Sequence, residues 1–180
     1  HTRLVIDWSS DVCSSDLGAT PAEAAEKAKF AYGILQAAGG GLGLLSFGPL
    51  CVWLGRRRAF VTFQLVALVI VPITCYLPHN YATLLVLLPI MGYFVVGIHA
   101  GYAVYFPELF PHHLRSTGTG FCFNAGRLLA AVVLIFSGWL KSQPGMDLRL
   151  AVSLLGGIFL LGVVIVLFLP ETRNQPLPEA

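Results

Sequence analysis

The chain has 180 residues, of which 56% are hydrophobic and only 11% charged, and its mean hydropathy is +0.76. Soluble globular domains carry about 25% charged residues, so this composition excludes an ordinary soluble domain and points to an integral membrane protein. The net charge of +2 is too small to imply a nucleic-acid partner, and the arginines sit beside apolar runs, which suits a bilayer better than a phosphate backbone.

The first segment, Asp7–Leu17, reads DWSSDVCSSDL and is polar before a greasy remainder. Back-translated in one frame, its eleven residues resemble a common sequencing-library adapter, so residues 1–17 are expected to be non-native and are set aside. That removes Trp8, Cys13 and three aspartates from any functional argument and leaves ten Lys/Arg against six Asp/Glu, a charge of +4. No signal-peptide pattern is visible in the first 29 residues. Residues 18–29 read as the remnant of an extracytoplasmic loop, and the native protein is expected to begin upstream of Gly18.

Five apolar stretches follow, each near the roughly 20 residues that a 30 Å hydrocarbon core requires. They are Phe30–Leu54, Ala59–Leu77, Tyr81–Tyr105, Gly118–Leu140 and Leu150–Leu169. None alternates with period 2, and helices satisfy their own backbone in lipid, so the fold class is an all-α membrane protein with five transmembrane helices over residues 30–169. Arg56, Arg57, Arg58, Arg115 and Arg173 fall on one side, and Lys27, Lys29, Lys141 and Arg149 on the other. The compact triplet places its own side, the 106–117 loop and the 170–180 tail in the cytoplasm.

Along the first span, Gly39 and Gly43 form a small-xxx-small pair suited to close helix contact, and Gln36 is a polar group available to a cavity. No Lys-Ser/Thr follows the glycines, so they do not read as a phosphate cradle. Pro49, Pro72 and Pro89 are expected to bend their helices. The third span carries Tyr93 and His99; a neutral imidazole within a span can donate, accept or sense protons, or can satisfy itself on a carbonyl. Arg127 stands about ten residues into the fourth span, where a cation costs about 2.5–3.5 kcal/mol and usually faces a cavity. Asn124 precedes it on the same helical face. The pair could hold an anionic or polyhydroxy solute, or Arg127 could snorkel to the headgroups.

Cys51, Cys75 and Cys122 lie in or beside greasy segments without metal or disulfide spacing. His112 and His113 adjoin Glu108 with no further ligand or nucleophile at suitable spacing, so neither an enzyme nor a metal site is expected, and no cofactor.

Three segments together resemble the C-terminal half of a major facilitator superfamily transporter, closest to its sugar-porter and metabolite:proton-symporter branches. They are GPLCVWLGRRRAF (48–60), YFPELFPHHLRSTGTGFCFNAGR (105–127) and LPETRNQPLPE (169–179). In the first, Gly48, Leu50, Gly55, Arg56 and Arg57 match the family pattern, while Val52 and Trp53 stand where it has Asp and Arg. In the second, Pro107, Glu108, Phe110, Pro111 and Arg115 match; in the third, Pro170, Glu171, Thr172 and Arg173.

The resemblance implies that the five spans are the eighth to twelfth of twelve, with an N-terminal half to precede them. It implies a secondary active transporter in the cell membrane that moves a small polar solute, a sugar or an organic acid, by alternating access, with a proton as possible co-substrate. A non-transporting receptor or interaction protein on the same fold is the alternative. The expected substrate contacts are Gln36, Tyr93, His99, Asn124 and Arg127. Arg57, Glu108, Arg115 and Glu171 are the expected cytoplasmic gating network, while Arg56 and Arg58 are expected to reach lipid headgroups. No acid lies inside a span, so a proton-coupling carboxylate would belong upstream.

Overall fold

The computed structural model describes residues 21–77, 80–142 and 148–172. The adapter-like stretch, residues 18–20, the 78–79 turn, the middle of the 141–149 loop and the tail from Arg173 lie outside the described residues.

The first rod runs from Pro21 to Leu54 as α1 (Pro21–Phe30), a π-helical turn (Ala31–Gln36) and α2 (Ala37–Leu54). Then come α3 (Arg56–Tyr76), α4 (Tyr81–Leu109), α5 (Arg115–Ser142), α6 (Leu148–Gly156) and α7 (Ile158–Phe168). The described residues contain no strand. Among the described residues, four helices are long and apolar enough to cross a membrane: Ala31–Leu54, Arg56–Tyr76, Tyr81–Leu109 and His112–Trp139. The fifth apolar stretch, Val152–Phe168, is shorter and divides at the Gly156-Gly157 pair, where Gly157 N–H turns back to the Leu154 carbonyl at 3.0 Å. Two consecutive glycines remove the side chains that would stiffen the rod there.

Several boundaries differ from the sequence expectation. Residues 21–29, read as part of a loop remnant, are α1 and join the first span, and α5 begins at Arg115 rather than Gly118. Helix α3 begins at Arg56 rather than Ala59, because its first amides find a carboxylate described below. Helix α4 continues through Pro107 to Leu109, although residues 106–117 read as a loop. Pro49 and Pro72, like Pro89, also lie inside continuous helices.

One glycine has a conformational duty. Gly55 joins α2 to α3 at φ 93°, a backbone region that side-chain-bearing residues rarely adopt. It is buried, its N–H closes on the Cys51 carbonyl at 3.1 Å, and its carbonyl accepts from Ala59 N–H at 3.1 Å. Two spans can therefore reverse direction across a single residue.

The core lies where α2, α3 and α4 meet, with α7 against α3. Phe47, Cys51, Phe60, Phe63, Ile98, Tyr105 and Val166 are its buried members. Aromatic rings run through it: Phe47 meets Phe63 edge-on at 4.8 Å and Phe60 at 5.3 Å, and Phe63 stacks on Tyr93 at 5.7 Å. Glycines let the backbones approach this closely. A Cβ on Gly39 would stand 2.1 Å from the Pro89 carbonyl oxygen, and one on Gly43 would stand 2.2 Å from that of Tyr93. From α4, Gly92 presses on the Gln36 carbonyl and Gly101 on the Phe47 ring. Helix α5 lies at the edge. It touches α4 through Phe106–Phe123 rings at 5.4 Å and the residue after α4 through Phe110 against Gly118, and its apolar segment has no buried hydrophobic residue.

Candidate functional site

Helix α3 starts, and α4 and α7 end, at one end of the bundle. This brings three sequence-distant segments together. The Arg56 guanidinium donates twice to Glu108, from Nη2 to Oε1 at 2.8 Å and from Nε to Oε2 at 3.3 Å. Both side chains are 17% exposed. Two parallel N–H···O bonds between planar groups give directional specificity as well as attraction. Thr172 Oγ1 donates to the same Glu108 carboxylate, and Tyr105 Oη donates to the Pro170 carbonyl at 2.7 Å.

Glu171 takes a different part. Its Oε1 accepts from the backbone N–H of Arg56 at 2.9 Å, and its Oε2 accepts from that of Arg57 at 3.1 Å. The first amides of a helix have no partner within it and carry partial positive charge, so a carboxylate there satisfies two donors and the helix dipole together. A residue 115 positions away in sequence thus caps α3. The segment 169–172 is pinned to α3 and α4 at three places: Pro170, Glu171 and Thr172.

The expected gating residues divide accordingly. Glu108 and Glu171 meet at this clasp. Arg57 joins it through its backbone N–H, not its guanidinium, and Arg56, expected among lipid headgroups, holds Glu108. Arg115 opens α5 just beyond the Phe110–Leu114 turn; its Nε is buried and has no hydrogen-bond partner among the described residues. Thr172 and Tyr105 complete the clasp. Thr172 lies inside the matched Pro-Glu-Thr-Arg run, which is the signal that points to it.

The expected substrate contacts are not brought into one cluster. Tyr93 is half-buried, and its hydroxyl accepts from Ser46 Oγ at 2.6 Å. Ser46, one turn beyond Gly43 on α2, was invisible to the sequence argument because it depends on the α2–α4 contact. Gln36 ends the π turn, hydrogen-bonds Tyr32, and keeps a buried Oε1 that has no partner among the described residues. His99 is exposed on α4, with Nδ1 3.2 Å from the Val96 carbonyl. Asn124 and Arg127 are exposed on α5, and Asn124 Nδ2 donates to the Gly120 carbonyl at 2.8 Å. Among the described residues Arg127 has no ion-pair partner.

Long apolar helices packed side by side, with Arg56, Glu108 and Glu171 joined at one end, define a multi-pass, all-helical membrane protein. The chain belongs to the Major Facilitator Superfamily, whose model matches residues 8–180. It is 33% identical over 138 residues to a cis,cis-muconate transport protein of Acinetobacter baylyi, a match covering 75% of this chain and 32% of that protein. It is 25% identical over 140 residues to a probable 4-methylmuconolactone transporter of Cupriavidus pinatubonensis, covering 73% and 32%. It is 33% identical over 132 residues to a steroid transmembrane transporter of Microcebus murinus, covering 71% and 22%. The chain spans a third or less of the length of these relatives.

Proposed function

We propose that the chain is part of a secondary carrier, not an enzyme, that moves a small organic acid across the cell membrane by alternating access between two helical halves. The observation that carries this reading is Arg127. It is a cation well inside a span, exposed on the helix with the least buried apolar face, with no acid paired to it among the described residues. Such a group marks a solute path rather than a structural pair. A guanidinium suits a planar carboxylate in two-pronged geometry, and two relatives are named as transporters of muconate and a muconolactone. Both supports favour an organic acid over a sugar.

On this reading Tyr93, His99, Asn124 and Gln36 line the path with Arg127. The Arg56–Glu108–Glu171 clasp closes the cytoplasmic end between cycles. A proton is the candidate co-substrate, and its coupling carboxylate lies in preceding helices. The length of the relatives supports reading these helices as one part of a longer carrier.

Uptake of radiolabelled cis,cis-muconate and glucose into vesicles bearing the whole carrier tests the proposal. Muconate accumulates against its gradient and glucose does not. Arg127→Gln raises the KM for muconate about ten- to hundredfold, the value of a hydrogen-bonded charge pair, and Arg127→Lys retains part of the affinity. Binding without accumulation would make the protein a receptor. An unchanged KM in Arg127→Gln would remove the residue from the path.

A further inference from the structure

We propose that the clasp end carries a binding site for one anionic phospholipid of the facing leaflet, built on Arg57 and Arg58. A groove of about 730 Å3 opens at this end, lined by Leu54, Arg57, Arg58, Val61, Leu167 and Glu171. Of the three consecutive arginines, only Arg56 has its guanidinium engaged by an acid; among the described residues Arg57 and Arg58 have no ion-pair partner. Arg57 is half-buried and Arg58 exposed, so one is fixed by the wall and the other is free to close over a ligand. The one carboxylate in the wall, Glu171, is turned to the first amides of α3. Two guanidiniums thus face the opening against a single acid that already has donors.

The rest of the lining selects a lipid rather than a soluble phosphoester. Val61 and Leu167 continue the wall along α3 and α7 toward the apolar middle of the bundle, giving acyl chains a surface while the phosphate stays at the arginines. Leu167 and Phe168 are exposed, Phe168 at 86%. Trp53, two residues before the α2–α3 reversal at Gly55 and 76% exposed, places an amphipathic ring at the same level, as aromatic residues do at membrane interfaces. Phosphate at interfacial arginines and chains on an apolar wall match a diacyl anionic lipid in both charge and shape.

The inference depends on membrane insertion and not on transport. Lipid titration of the purified full chain by native mass spectrometry, with phosphatidylglycerol and phosphatidylcholine of identical chains, tests it. Phosphatidylglycerol binds more tightly than phosphatidylcholine. Arg57→Gln and Arg58→Gln each weaken phosphatidylglycerol about fivefold, as expected for one basic residue near an anionic surface, and leave phosphatidylcholine unchanged. Soluble sn-glycerol 3-phosphate does not displace the lipid. Equal affinity for the two lipids, unchanged affinity in Arg58→Gln, or displacement by glycerol 3-phosphate would each overturn the assignment. Arg58 is exposed and holds no acid, so its variant keeps the test decisive if Arg57→Gln does not fold.

Discussion

Replacing Glu108 with Gln opens the clasp end, and Cys51 reports it. The Arg56–Glu108 pair is two-pronged and 17% exposed on each side. Fully exposed pairs contribute about 0–1 kcal/mol and hydrogen bonds to charged groups about 1.5–3 kcal/mol, so partial exposure puts this pair at roughly 1–2 kcal/mol. About 1.4 kcal/mol corresponds to a tenfold change in the balance between closed and open arrangements. Cys51 is 2% exposed and packs in the core just inside the clasp. Its labelling by a permeant maleimide, followed by peptide mapping, therefore speeds up about tenfold in Glu108→Gln and in Arg56→Gln. The exchanged pair, Arg56→Glu with Glu108→Arg, returns the rate toward that of the parent. Unchanged labelling in both single variants would mean that the pair holds nothing closed.

The second large effect lies in the α2–α4 contact. Gly39→Ala and Gly43→Ala place a methyl 2.1 and 2.2 Å from backbone carbonyl oxygens of Pro89 and Tyr93. Backbone cannot swing aside as a flexible side chain does, so the helices must part. Overpacking of this kind costs about 1–3 kcal/mol per site, and parting the helices also loosens the Ser46–Tyr93 bond. Gly41 and Gly48 are the controls on the same helix: nothing lies within 4 Å of a Cβ at either position. Alanine there gains about 0.5–1 kcal/mol of helix preference. Thermal unfolding in detergent should lower the midpoint for the first pair and hold or raise it for the second. Equal midpoints for all four would deny the close crossing.

The spans were legible because hydrocarbon thickness and backbone satisfaction leave few ways to arrange 56% hydrophobic residues. The break at Gly156-Gly157 was not, since paired glycines are common in membrane helices that continue. The Gly39/Gly43 motif announced a close contact, but its partners, Pro89 and Tyr93, are carbonyls and carry no residue signature. At the clasp, motif order brought out Glu108 and Glu171. It set Arg57 in the gating network and Arg56 and Arg58 among the headgroups, whereas the side chain that holds Glu108 is that of Arg56, because successive helical residues point about 100° apart and only the fold says which one faces α4. Glu171 as a cap was equally hidden: backbone amides are the same in every sequence, and only proximity shows which carboxylate they receive. Arg127 stood out by its depth in a span. Its companion Asn124 shares its face, yet spends an amide N–H on Gly120, which periodicity alone does not reveal.

The central claim is that the clasp gates access to the middle of α5. Sided labelling measures this directly. In a background with Cys51, Cys75 and Cys122 replaced by serine, the cysteine of Asn124→Cys, one turn from Arg127, is treated with an impermeant thiol reagent applied to either face of oriented vesicles. With the clasp intact it reacts from the face opposite the arginine triplet. With Glu108→Gln added it reacts from the triplet's own face. Reaction from the same face in both proteins would contradict the account.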